Sequence, residues 1–301
     1  MIERAGYLDP AVEQRRQFHT KLVEKFDASE LAFPSDLELF FQIEDNGVMR
    51  APPKPILAWG VQHIHRYREL ADEVSRPMVE RKIFHSRRVM QDIYTIGKNS
   101  GETKILQELL TIGFLHDMFR FPQAVYYKTF KDGESFDHAD MAAECIARAH
   151  LPFAKVGLSE IDCLNAIAEH SQLKTPRNKK SLYIRDADKL VIMEEFMQDN
   201  ARLLEKGIPM QDIDDESLEQ LLQGKVVTHN RTSLFPVNRT LQRISWIHDL
   251  HFKASQDIAS EKKVFERLFE QLQCLTTDSR LADVERHILS HSFNGFYPEE
   301  S

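Results

Sequence analysis

The sequence predicts an all-α protein. Apolar residues recur at helical rather than strand spacing along most of the chain. Strictly alternating or Val/Ile/Thr-rich runs are few, and no strand–helix rhythm appears that would build a parallel sheet. The 301 residues are 42% hydrophobic and 29% charged, with 11 glycines and 12 prolines, which describes a folded globular chain and excludes a disordered or fibrous one.

The elements follow in order. Residues 1–56 read as short helical stretches broken at Pro10, Pro34 and the Ala51–Pro52–Pro53–Lys54–Pro55 run, the clearest linker-like segment. From about Ile56 to Gly97 the pattern gives two helices, separated near Pro77, and Gly97–Gly101 ends the second. Thr103–Asp117 reads as a helix whose Ile105, Leu106, Leu109, Leu110, Ile112 and Phe114 are apolar almost all round, so it belongs in the interior. Arg120–Phe136 reads as a loop with short pieces, punctuated by Pro122 and Gly133. Asp137 is placed to cap a helix to about His150, and Ser159 with Asp162 resembles a capping box opening a helix to His170. Thr175–Lys180 is a basic loop, Ser181–Glu205 a long helix, and Gly207–Pro209 a break before three or four final helices. The expected division is an N-terminal extension over 1–75, a core over 76–200 and a C-terminal extension over 201–301.

Lys plus Arg number 39 and Asp plus Glu 47, for a net charge of −8, which argues against general binding of nucleic acid or anionic membranes. Cys145, Cys163 and Cys274 are odd in number and form no CxxC pair, so neither a disulfide framework nor a thiolate zinc site is expected. They read as buried free thiols in a reducing cytoplasm. The stretch MIERAGYLDPAVEQRRQF has no apolar targeting core, and no window approaches 18 uninterrupted apolar residues. A cytoplasmic protein with no membrane partner is expected; self-association is left open.

Several of the 13 histidines sit beside carboxylates near helix ends: His85 in FHSRRV, His116–Asp117 in GFLHDMFR, His138 in FDHADMA, His170 in AIAEHSQ, and Asp188 in RDADKL. His116 and Asp117 end a nearly all-apolar helix, where a carboxylate is costly to bury unless paired or bound to a cation. Imidazole and carboxylate side by side make a half-site for a divalent transition metal. His/Asp ligation without Cys suits Mn, Fe, Co, Ni or Zn. Asp188, beside Leu182, Ile184, Leu190 and Val191, is a second carboxylate in an unusual place.

This ordered pattern resembles the HD-domain superfamily of metal-dependent phosphohydrolases, over about residues 80–195, with LLTIGFLHD and ADKL resembling its metal-binding helices. The resemblance implies an HD-domain helical bundle with additional N- and C-terminal helices. It implies that His85, His116, Asp117 and Asp188 bind one metal. Asp117 would bridge to a second, held by His138 and His170; the alternative is one metal, with His138 and His170 facing substrate. Metal-activated hydroxide would then attack a phosphoester or phosphoanhydride of a nucleotide or other small phosphorylated metabolite. Asp117, Arg120 and Lys189 are expected to carry the catalysis, and Arg88, Arg120, Lys174 and Lys189 to bind the substrate phosphate, the guanidinium forks suiting its oxygens. Lys174, Arg177, Lys179 and Lys180 form a basic loop after His170, read equally as an ordinary solvated loop. Glu169 and Asp186 are candidates to orient the imidazoles. Two rivals share the scaffold: a di-iron oxygenase, and a non-catalytic module that senses a nucleotide or partner.

A second HD pair, His248–Asp249 followed by His251, lacks companions at the right spacing and reads as a packing element. His287 and His291 lie on one helix face and are able to bind a metal, but no third ligand is evident. His63 and His65 point to different faces and are assigned nothing.

Overall fold

The structure, a computed structural model, describes residues 35–172, 176, 178–207, 209–228 and 235–291. It is all-α apart from one small hairpin among the described residues. Two compact units divide between Arg185 and Asp186.

The first unit opens with α1 (Ser35–Phe40) and then the hairpin of β1 (Ile43–Asp45) and β2 (Val48–Arg50), paired antiparallel with Ile43 opposite Arg50. The helical reading of residues 1–56 missed this hairpin. Its signal is Asn46–Gly47, whose φ values of 52° and 77° suit a tight two-residue turn that residues other than Asn, Asp and Gly resist. Helix α2 (Lys54–Leu70) carries Pro55 in its first turn, and α3 (Arg76–Asn99) carries Pro77 in its own, where neither proline removes a helical hydrogen bond. Between them Asp72 and Ser75 cap each other: the Ser75 amide donates to Asp72 Oδ1 at 2.9 Å and the Asp72 amide to Ser75 Oγ at 3.0 Å.

Helix α4 (Leu106–Leu115) is the expected interior helix, with every residue from Leu109 to Leu115 buried. Glycines let its neighbours approach. A Cβ at Gly113 would stand 2.8 Å from the Ile93 methyl and 3.0 Å from Met90 Cα on α3; one at Gly97 would meet Leu109 at 2.4 Å. This close contact brings the middle of α3 against the end of α4. The chain then winds through a π-turn (Gln123–Tyr127) and a 3-10 turn (Asp132–Glu134). Buried Gln123 ties that segment, donating to Asp132 Oδ1, Ser135 Oγ and the Phe136 carbonyl at 2.8–2.9 Å. Helix α5 (His138–Arg148) starts at the expected cap, Asp137 accepting from the amides of Ala139 and Asp140. Helix α6 (Glu160–Glu169) starts at Ser159, which accepts from the Asp162 amide.

The division falls inside α7 (Lys179–Glu205). The second unit continues with α8 (Asp215–Leu222), α9 (Pro236–Ser245), a 3-10 turn (Trp246–Asp249), α10 (Lys253–Glu261), α11 (Val264–Leu275) and α12 (Leu281–Ser290). Among the described residues these five helices slightly exceed the three or four expected. Their shared core includes Leu218, Leu221, Leu241, Ile244, Leu268 and Leu272, all buried.

No helix among the described residues is long and apolar enough to cross a membrane. Cys145 and Cys163 are buried, which pushes each thiol up to about 12, whereas Cys274 is exposed, contrary to its reading as an interior thiol.

Replacing Gly113 by Ala forces a methyl against the backbone of Met90. The expected result is a loss of about 1–3 kcal/mol of stability, read as a lower urea midpoint, with α3 displaced from α4.

Candidate metal centre

Asp117 is the centre of the site. It follows α4 directly and is 2% exposed. An ionised carboxylate there is unstable unless neighbours supply charge and hydrogen bonds. Two cations do so, and four histidines surround the group, each delivered by the fold. From the middle of α3, Lys82 Nζ donates to Asp117 Oδ2 at 2.6 Å, and His85 Nε2 stands 3.3 Å from the same oxygen. His116, at the end of α4, places its Nε2 3.4 Å from Oδ2. His138, the first residue of α5, places its Nε2 3.5 Å from Oδ1, and Arg120 Nε lies 3.6 Å from that oxygen. His170, at the end of α6, places its Nε2 3.2 Å from His138 Nε2. Burial alone would raise the Asp117 carboxyl; Lys82, His116 and Arg120 outweigh it and hold the group well below the usual carboxylate range.

The ligand-capable atoms form two triads that share Asp117: His85, His116 and Asp117, and Asp117, His138 and His170. Within each triad the candidate donor atoms lie within 4.8 Å of one another, and all five residues are buried. Three imidazoles are oriented from behind. His116 Nδ1 donates to the Gly113 carbonyl at 2.9 Å and His170 Nδ1 to the Ile167 carbonyl at 2.6 Å. His138 Nδ1 faces both Asp132 oxygens, at 2.9 and 3.1 Å. Each ring thereby turns its Nε2 lone pair inward, as metal-ligating histidines do when their other nitrogen is tied. The residues therefore fit divalent metal ions: two all-imidazole/carboxylate donor sets around one shared oxygen acid. Burial would raise the Asp132 carboxyl, but the His138 hydrogen bond and the Arg120 charge bring it down to about 2.

Other expected site residues fall differently. Arg120 is a brace: its NH1 donates to Gln123 Oε1, the Phe130 carbonyl and Asp132 Oδ1 at 2.6–2.8 Å, while its buried Nε makes no hydrogen bond. Arg88 is half-buried on α3, one turn beyond His85. Lys174 lies outside the described residues, as does Arg177. Lys179 pairs with Glu102 at 2.6 Å, and Lys180 with Glu108 and Asp162 at 2.5 and 2.7 Å, so the described end of the basic loop is engaged in structural ion pairs.

Asp188 and Lys189 belong to the second unit. Asp188 is half-buried on α7. The Lys189 ammonium is bound by the Asp249 carboxylate and by the Asp249 carbonyl at 3.0 Å, a buried pair. Glu169 accepts from Ser181 Oγ at 2.8 Å. Asp186 accepts from the His251 and Phe252 amides, and its Oδ1 lies 2.9 Å from His251 Nδ1. Asp249 and His251 thus pair with Lys189 and Asp186, whereas His248 turns to His287 and His291.

The sequence reading missed Lys82 and Asp132. Lys82 is three residues before His85 and so on the same helical face, a spacing visible in the sequence. Asp132 lies in an irregular turn, and no sequence period points it at His138. His63, assigned nothing, donates from Nε2 to the Met118 carbonyl at 2.9 Å and packs between Trp59 and Phe119, fixing the backbone just after Asp117.

Residues 83–193 match the family described as HD domain, a stretch of about a third of the chain that holds all six expected ligands. No curated protein and no solved structure matches the chain.

Two outcomes follow from the geometry. Asp132→Asn removes the carboxylate behind His138 and is expected to weaken metal binding about 10–100-fold, measured by chelator competition. Lys189→Met strands the buried Asp249 charge and is expected to cost about 3–5 kcal/mol in denaturant unfolding.

Proposed function

From an HD domain over residues 83–193, we propose that this protein is a metal-dependent phosphohydrolase. Its substrate is a nucleotide or other small phosphorylated metabolite, cleaved at a phosphoester or phosphoanhydride bond. The observation that carries this reading is the single buried carboxylate of Asp117 shared by two pairs of inward-turned imidazoles. That arrangement supports two divalent transition-metal ions among Mn, Fe, Co, Ni and Zn, one toward His85 and His116, the other toward His138 and His170. Asp188 is proposed as a further ligand on the resemblance of its ADKL context.

Divalent ions bound there supply Lewis acidity and lower the pKa of water from ~15.7 to about 7. The chain's own residues do the rest. Gly113, Ile167 and Asp132 hold three imidazoles in one tautomer, so the donor set is in place before substrate arrives. Lys82 and Arg120 stand on either oxygen of Asp117 and are the cations we assign to the phosphate oxygens, Arg120 through its unbonded Nε. The loop bonds of Arg120 to Gln123, Phe130 and Asp132 fix that guanidinium in advance, which limits the ordering cost of binding. Arg88, on the same face of α3 as His85, is a further candidate for the substrate. The net charge of −8 fits a small substrate better than a nucleic acid, and the three free cysteines fit a cytoplasmic setting.

Elemental analysis of the purified protein, coupled to a screen of phosphorylated metabolites, tests the proposal. Bound transition metal with turnover of at least one phosphate compound supports it. Metal-loaded protein that hydrolyses none of them, or that consumes oxygen instead, overturns it. Asp117→Ala is expected to release metal and lower activity on the order of 10³-fold or more. His138→Ala is expected to remove one metal per chain and leave the other. Arg120→Ala should keep the metals and cost on the order of 1.5–3 kcal/mol in kcat/KM.

A further inference from the structure

The second unit holds three histidines that meet at one point, none of them part of the Asp117 cluster. His248 lies on the 3-10 turn after α9, His287 in the last turn of α12, and His291 just beyond it. His287 and His291 are four residues apart and share a helical face. The turn brings His248 to that face: its Nε2 is 2.8 Å from His287 Nε2, and the three ring centroids are 4.4–4.9 Å apart. One nitrogen of each ring lies within 4.8 Å of the others.

Neighbours hold the rings in this arrangement. Asp249, the residue after His248, is bound to Lys189, and His251 to Asp186, so the backbone just after the histidine is fixed at two points. His291 Nδ1 donates to the His287 carbonyl at 2.9 Å, and His248 makes a hydrogen bond to the Leu221 backbone. Two of the three rings therefore have one nitrogen tied outside the cluster, the device that orients metal-ligating imidazoles.

Packing alone does not account for the group. A hydrogen bond between two imidazoles uses one proton and one lone pair, and the third ring gains nothing from it. A cation at the centre takes a lone pair from all three. In a tetrahedral zinc site with Zn–N of about 2.0–2.1 Å, the nitrogens are about 3.3 Å apart, so ring rotations of modest size turn the observed cluster into a ligand set. His291 is exposed and the other two are half-buried, so solvent reaches the remaining coordination position.

We propose that His248, His287 and His291 hold one divalent ion of zinc, cobalt or nickel type, with water as the fourth ligand. The ion ties the end of α12 to the turn after α9, and it binds independently of the Asp117 cluster.

The test is a titration of the full chain with zinc ion alone, followed by metal counting after gel filtration. His291→Ala, at an exposed position, and His287→Gln are each expected to bind one zinc fewer per chain, with affinity at that site about 100-fold weaker or more. Asp117→Asn is expected to keep this ion and lose metal elsewhere. Circular dichroism of His291→Ala matching the parent shows that the loss is local. If both histidine variants bind as much zinc as the parent at equal affinity, or if Asp117→Asn removes every metal ion, the proposal is overturned.

Discussion

The first unit is organised around the cost of one buried charge. Asp117 is nearly inaccessible to water at the end of an apolar helix, where a lone carboxylate would be destabilising by several kcal/mol. Everything adjacent lowers that cost. Lys82 and Arg120 bring positive charge, and four imidazoles bring polarisable rings that accept a cation between themselves and the carboxylate. Lys82 lies on the same oxygen as His85 and His116, so an ion held by those histidines would share Asp117 with the ammonium. The site's charge balance is therefore set by α3 as much as by the His–Asp pair.

Helix ends perform the delivery. His116 and His170 each follow the last turn of a helix and bond through Nδ1 to the carbonyl three residues earlier, Gly113 in one case and Ile167 in the other. Those carbonyls lie in the last turn, where a helix leaves acceptors without intrahelical partners. One bond thus satisfies a stranded carbonyl and fixes a ring. His138 is delivered from the opposite kind of end. It is the first residue of α5, next to the cap residue Asp137, and needs a side chain, Asp132, to orient it. The glycine contacts between α3 and α4 set the spacing between His85 and His116, so packing and ligand geometry are one constraint.

Much of this was legible in the sequence because it is local or periodic. The interior helix before Asp117 showed in its all-round apolar pattern, and the caps at Asp137 and Ser159 in residue types with one common use. The ordered histidines could be read because each had a carboxylate or an apolar helix for context. What escaped was carried by pairings between distant positions. The hairpin turned on a two-residue signal at Asn46–Gly47 inside a short stretch read as helical. Asp132 acts from an irregular turn. The partner of Lys189, the Asp249 carboxylate, is 60 residues away, beyond the reach of any local pattern. The boundary between units falls within one continuous helix, and a helical period carries no mark of where one core ends and the next begins.

The two His–Asp pairs show why a dipeptide is not a site. His116–Asp117 terminates a buried helix, so both side chains remain in the interior, and the carboxylate meets imidazoles from three other segments. His248–Asp249 sits in a short 3-10 turn, where successive side chains diverge by about 120°. Its Asp is drawn to Lys189 and its His to the face of α12. Identical chemistry is thus partitioned by backbone geometry: in the first pair both groups serve one centre, in the second they serve two. Burial of Asp249 is compensated by the Lys189 ammonium, whereas Asp117, beside the Lys82 ammonium, also faces ring nitrogens that a further cation would use together. The distinction between a packing carboxylate and a metal-binding one lies in which partner reaches it, and that is decided by the helix on which the partner stands.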